Sequence, residues 1–243
     1  MGLGFLVMAL LLTLYAFFNS TQVLGINAMI KPIKFCLSTW MYAWTMALLL
    51  YYVNDQKRVK WYSMLALVVM VFENGVIIIQ AFRGKLSHFN QSELVGGILY
   101  GLMGVMIVWL TTATLVITIR FLFQKTYVIG TPLVLSIKIG LVMFVIFSFF
   151  GGYMSAVNSH NVGGEIGQSG LPLLNWSTLF GDLRVGHFFG IHSLQVIPLL
   201  GYFLSNYIKD ASTAIGFIWL GSLVYFSFIC FTIYQALNAM PFI

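Results

Sequence analysis

Apolar residues dominate the chain in blocks of about twenty, separated by short clusters of charged, amide and glycine residues. A helix that crosses the hydrocarbon layer needs about 20 mainly apolar residues. Seven stretches meet that length: Gly2 to Leu24, Phe35 to Val53, Trp61 to Phe82, Val95 to Ile119, Thr131 to Ala156, Val185 to Asn206 and Ala211 to Ala239. Unbroken apolar runs of this length predict an all-α polytopic bundle of about seven transmembrane helices, with 1–243 forming a single integral membrane domain. Tyr51, Tyr52, Trp61, Tyr62, Tyr127 and Trp176 fall near the predicted span ends, where amphipathic rings settle at the interface. The first run lacks a basic start and a small-residue cleavage pattern, so it is expected to be a retained span.

Composition agrees with this pattern. Hydrophobic residues make up 60% of the chain and charged residues only 7%, with a mean hydropathy of +0.95, whereas soluble domains carry about 25% charged residues. The net charge of +6 is too dispersed for a nucleic-acid partner, and the bilayer is the expected surroundings. Cys36 and Cys230 lie inside apolar runs and read as small buried hydrophobes. The loops after spans two, four and six hold six basic residues: Lys57, Arg58, Lys60, Arg120, Lys125 and Lys209. The opposite side holds five: Lys31, Lys34, Arg83, Lys85 and Arg184. That excess favours a cytoplasmic amino terminus under the positive-inside rule.

Three polar stripes interrupt the apolar background. At 100° per residue, Arg184, His187, His192 and Gln195 share an arc of roughly 140° at the start of span six, and Asp182 is placed to cap it. Span three carries Glu73 and Gln80 nearly in line, with Arg83, His88 and Asn90 following at its exit. Asn27, Lys31 and Lys34 align within about 60° at the entrance to span two, if that segment is helical. Counting spans puts all three stripes at one face of the membrane, together with His160 and Glu165 of the long loop and with Gln235 and Asn238 near the end of span seven. Ionisable groups inside a membrane mark functional sites by default; the competing structural account of each residue is interhelical hydrogen bonding.

Glu73 to Asn90 (E-x6-Q-x2-RG-x2-SHFN), the GLPLLNWS string from Gly170, and GDLR-x2-HF-x-G-x-H-x2-Q from Gly181 resemble a family of bacterial multi-pass inner-membrane proteins. The resemblance covers most of the chain. It implies a bacterial inner (cytoplasmic) membrane setting and brings no activity, cofactor or catalytic residue with it.

The chemistry must therefore come from the residues. Lys31, Lys34, Arg83 and Arg184 can surround a phosphate or carboxylate of a small molecule or lipid headgroup, arginine supplying paired donors. Gln80, His88, Asn90 and Gln195 complete the expected ligand-binding set. Glu73, His187, His192 and Asp182 are the candidates for proton transfer or catalysis. His160, His187 and His192 are the candidate ligands for zinc or another divalent metal, although His187 and His192 point about 140° apart on a regular helix. A haem or quinone redox protein is one alternative, and a proton-coupled transporter using Glu73 is another. A retinal protein is disfavoured, because span seven has no lysine.

Overall fold

The computed structural model describes residues 1–91, 93–167 and 170–243. Among them are seven helices: α1 (Gly2–Ala16), α2 (Ile30–Tyr51), α3 (Gln56–Phe82), α4 (Leu94–Leu122), α5 (Thr131–Ala156), α6 (Leu183–Tyr207) and α7 (Ala211–Leu237). The all-α bundle matches expectation, and six helices, α2 to α7, are long and apolar enough to cross a membrane. The predicted first span is the exception, because α1 stops at Ala16 instead of running to Leu24. Asn27 explains the early stop. Its side-chain amide donates to the carbonyls of Ala16 (3.1 Å) and Asn19 (2.7 Å), satisfying acceptors at the helix end. The intervening chain forms a hairpin of β1 (Gln22–Val23) and β2 (Ile26–Asn27). Leu24 and Gly25 turn it with φ of 52° and 75°, the sense that two-residue hairpins require.

The starts of α2, α3 and α6 lie outside the apolar runs, whereas α5 and α7 begin at the expected Thr131 and Ala211. Asp55, Asp182 and Asp210 accept from the backbone N–H groups of Arg58 (3.2 Å), Arg184 (3.0 Å) and Thr213 (2.7 Å) respectively, which caps the first turns of α3, α6 and α7. Helix α2 begins at Ile30, so Lys31 and Lys34 both sit in its opening turns. A second antiparallel pair, β3 (Asn161–Val162) with β4 (Gly181–Asp182), ties the start of the long α5–α6 loop to its end.

Each helix packs on the next in sequence, and α2 and α6 close a ring with only sparse contact, leaving α1 against α2 and α7 against α5 and α6. The α5–α6 contact is the most extensive and is made through glycines. A Cβ on Gly190 would collide with the Phe147 ring, and one on Gly201 with Ser136. Small residues that let backbones approach are the usual basis of helix association in lipid, where hydrophobic burial supplies little. The half of the ring nearest the α2–α3 and α4–α5 turns is filled by a hydrophobic cluster that includes Met46, Val69, Ile117, Leu141 and Leu194. Tyr62, expected at the interface, is fully buried there and hydrogen-bonds Tyr42 and the Thr114 hydroxyl. The polar stripes occupy the other half.

Candidate functional site

At the entrance of α2, the ammonium of Lys31 lies 3.3 Å from His88 Nδ1. An ammonium only donates, so His88 accepts at Nδ1 and its ring is neutral. Lys31 is within electrostatic reach of Lys34, Arg184 and Glu73, and Lys34 within that of Arg184 and Asp182. The entrance of α2, the interior of α3 and the entrance of α6 thus converge at one face. Phe35, Phe89 and Tyr100 surround the His88 ring at centroid distances of 5.7, 6.4 and 5.9 Å.

Asp182 organises the α6 side. It is 1% exposed and accepts from Arg184 through Nε (2.9 and 3.2 Å) and Nη2 (2.6 Å), as well as from the backbone N–H of Arg184 (3.0 Å) and of Ser177 (2.8 Å). It is therefore a cap and an ion-pair partner, with little capacity left to act as a general base. The long loop folds over this pair. Lys34 donates to the Leu174 carbonyl (2.9 Å) and Arg184 to the Asn175 carbonyl. Leu173 and Asn175, at φ of 64° and 56°, flank the turn that aims both carbonyls at the cations. Left-handed backbone at non-glycine residues persists only where surrounding contacts impose it.

Glu73 is 7% exposed, and among the described residues its Oε1 meets no hydrogen-bond partner. It lies nine residues from the end of α3, about 13 Å into the bundle. His192 lies nine residues from the start of α6, at matching depth. Its Nδ1 donates to Gln195 Oε1 (3.2 Å), leaving Nε2 as a buried acceptor without a partner among the described residues, while Gln195 bridges to Thr45 of α2 (3.2 Å).

Other candidates have structural partners. His187 donates through Nδ1 to the Phe147 carbonyl of α5 (2.8 Å), a tie between helices. Arg83 is exposed and turns to Gln80 (2.7 Å) and to Glu93 (3.6 Å), which also holds Lys85 at 3.6 Å; the fully buried Gln80 in turn donates to the Leu86 carbonyl (3.3 Å). Asn90 donates to the same carbonyl (2.9 Å) and fixes the exit loop. Glu165 is exposed, and Gln235 and Asn238 bond backbone carbonyls close in sequence, those of Pro241 and Tyr234.

The metal expectation is not met. His160, His187 and His192 are tied through Nδ1 to Asn161, Phe147 and Gln195. Among the described residues no three His, Cys, Asp or Glu side chains group closely enough to hold an ion.

His160 lies in the loop, 3.9 Å from Asp182 Oδ1. Burial, and then the Arg184 guanidinium, push its imidazole down to about 4; Asp182 opposes this, but Arg184 already neutralises it. His88 shifts the same way through burial and Lys31. Between pH 6.5 and about 4 the unfolded chain binds a proton that native His160 refuses, so stability is lost as pH falls through that window. Melting temperatures of the detergent-solubilised protein should decline over this range and level off above it. His160→Gln should flatten the decline; an unchanged slope would contradict the assignment.

Comparison with protein-family models, curated proteins and solved structures returns no match for this chain.

Proposed function

We propose that this multi-pass membrane protein binds an anionic oxygen group, a phosphate or carboxylate carried by a small molecule or a lipid headgroup, at the face where α2, α3 and α6 converge. The observation that carries the proposal is the state of Lys31 and Lys34. Both are half-buried at the membrane end of α2, and among the described residues no carboxylate lies within 4.0 Å of either ammonium. Their nearest acceptors are the neutral His88 ring and the Leu174 carbonyl. A cation held away from water beside neutral acceptors gains substantially from an anion. The carbonyls of Leu174 and Asn175 stand where ligand oxygens would sit, and Arg184 adds paired donors. Glu73 lies deeper, positioned to take a proton or accept a hydrogen bond from the ligand. The packed apolar half beyond it supports a one-sided site over a path through the membrane. The bacterial inner-membrane setting belongs to this proposal.

Inorganic phosphate, phosphatidic acid and palmitate, each titrated against the purified protein in neutral detergent, test it. The wild type should be stabilised by at least one of them. A response to phosphate as strong as that to phosphatidic acid identifies a soluble ligand, and a response to the lipids alone identifies a headgroup. Lys31→Met and Lys34→Met should each weaken that binding about tenfold or more. Equal titrations in wild type and both variants would refute the proposal.

A further inference from the structure

We propose that the opposite end of the bundle carries a separate site for an acidic phospholipid. A groove of about 560 Å3 opens there between the α2–α3 turn and the end of α4, within the 300–1,000 Å3 typical of ligand sites. Arg120 and Lys125 line it. Both are exposed, and neither has an acidic partner within 4.0 Å among the described residues. Asp55 also lines the groove, but its carboxylate is held by Arg58 at 3.0 Å and caps α3, so its repulsion of an anion is reduced.

The rim is preformed. Gln124 accepts from the Asn54 backbone N–H (2.9 Å) and donates to the carbonyls of Tyr52 (3.0 Å) and Thr126 (2.8 Å), stitching the two turns together. Little ordering remains to be done on binding, which favours affinity.

The apolar wall selects the ligand class. Val116, Ile119 and Phe123 are 37%, 44% and 80% exposed; Val116 and Ile119, three residues apart, share one face of α4, and Phe123 is its C-cap. That track runs from the groove along the membrane-spanning body of the helix, where an acyl chain lies. A free phosphate would use the two cations and leave the track unused; an anionic amphiphile uses both. The site is at the other end of the bundle from Lys31 and Glu73 and does not depend on their role.

The test is native mass spectrometry of the full chain, delipidated in detergent and offered phosphatidylglycerol, phosphatidylcholine or glycerol phosphate. Phosphatidylglycerol should be retained in preference to phosphatidylcholine. Arg120→Gln with Lys125→Gln should weaken it about thirty-fold, since each basic residue near an anionic surface is worth about fivefold. Phe123→Ser should weaken it with both cations in place. Lys57→Gln with Lys60→Gln, on the same face but outside the groove, should change it little. The proposal is overturned if that control pair loses as much as the groove pair, if glycerol phosphate binds as tightly as the lipid, or if wild type shows no preference for the acidic lipid.

Discussion

Asp182→Ala is expected to destabilise the protein by about 3 to 5 kcal/mol, the range for removing one partner of a buried ion pair. The carboxylate is wholly enclosed, whereas the Arg184 side chain keeps 29% of its surface exposed, so the stranded guanidinium recovers part of its hydration and pulls the value toward the lower end. Loss of the α6 cap, typically about 1 kcal/mol, and of the Ser177 backbone acceptor pushes the other way. Denaturant titration followed by helical circular dichroism in detergent measures the sum. Adding Arg184→Met should restore much of the stability, because a matched apolar replacement of both partners is often close to neutral. A single-variant loss below about 1 kcal/mol, the level of a solvent-exposed pair, would mean that Asp182 does not anchor the loop and α6 together.

Glu73→Leu is expected to move stability in the opposite direction, upward by about 1 to 3 kcal/mol, the penalty for burying an unsatisfied polar group. Lys31 attracts the carboxylate, and the variant forfeits that attraction. Among the described residues no cation lies within 4.0 Å of the Glu73 carboxylate, however, so desolvation should be the larger effect. The same substitution should impair ligand binding if Glu73 serves the site. Gain of stability with loss of function is the signature of a group kept for chemistry. A melting temperature that falls instead would make Glu73 a structural partner and remove it from the proposed site.

Much of this arrangement could be read from helical period and span parity. Those two rules put Lys31, His88, Asp182 and Arg184 at one face, and Glu73 well inside it. They also identified Asp182 as a cap. They did not show which acceptors the cations would choose. Helical period fixes a residue's azimuth on its own helix but not how that helix is rotated against its neighbours, so the tie from His187 to the Phe147 carbonyl had no signal. Arg83 was expected at the anion site and instead meets Glu93, because the exit loop after α3 brings the next acidic residue back beside it. Leu174 and Asn175 were missed as partners since backbone carbonyls carry no residue signature. The left-handed turn that aims them lies within GLPLLNWS, where Leu173 and Asn175 carry no glycine to mark the positive φ.

The ring of helices is unevenly fastened. On one side α5, α6 and α7 interlock through glycines, and on the other α1, α2 and α3 form a second block, with α4 bridging the two. Where α6 meets α2, the described polar tie is the amide of Gln195 on the Thr45 hydroxyl. The α2–α6 edge is therefore the most sparsely packed seam of the ring. Lys34, Arg184 and His192 belong to the two helices that border that seam.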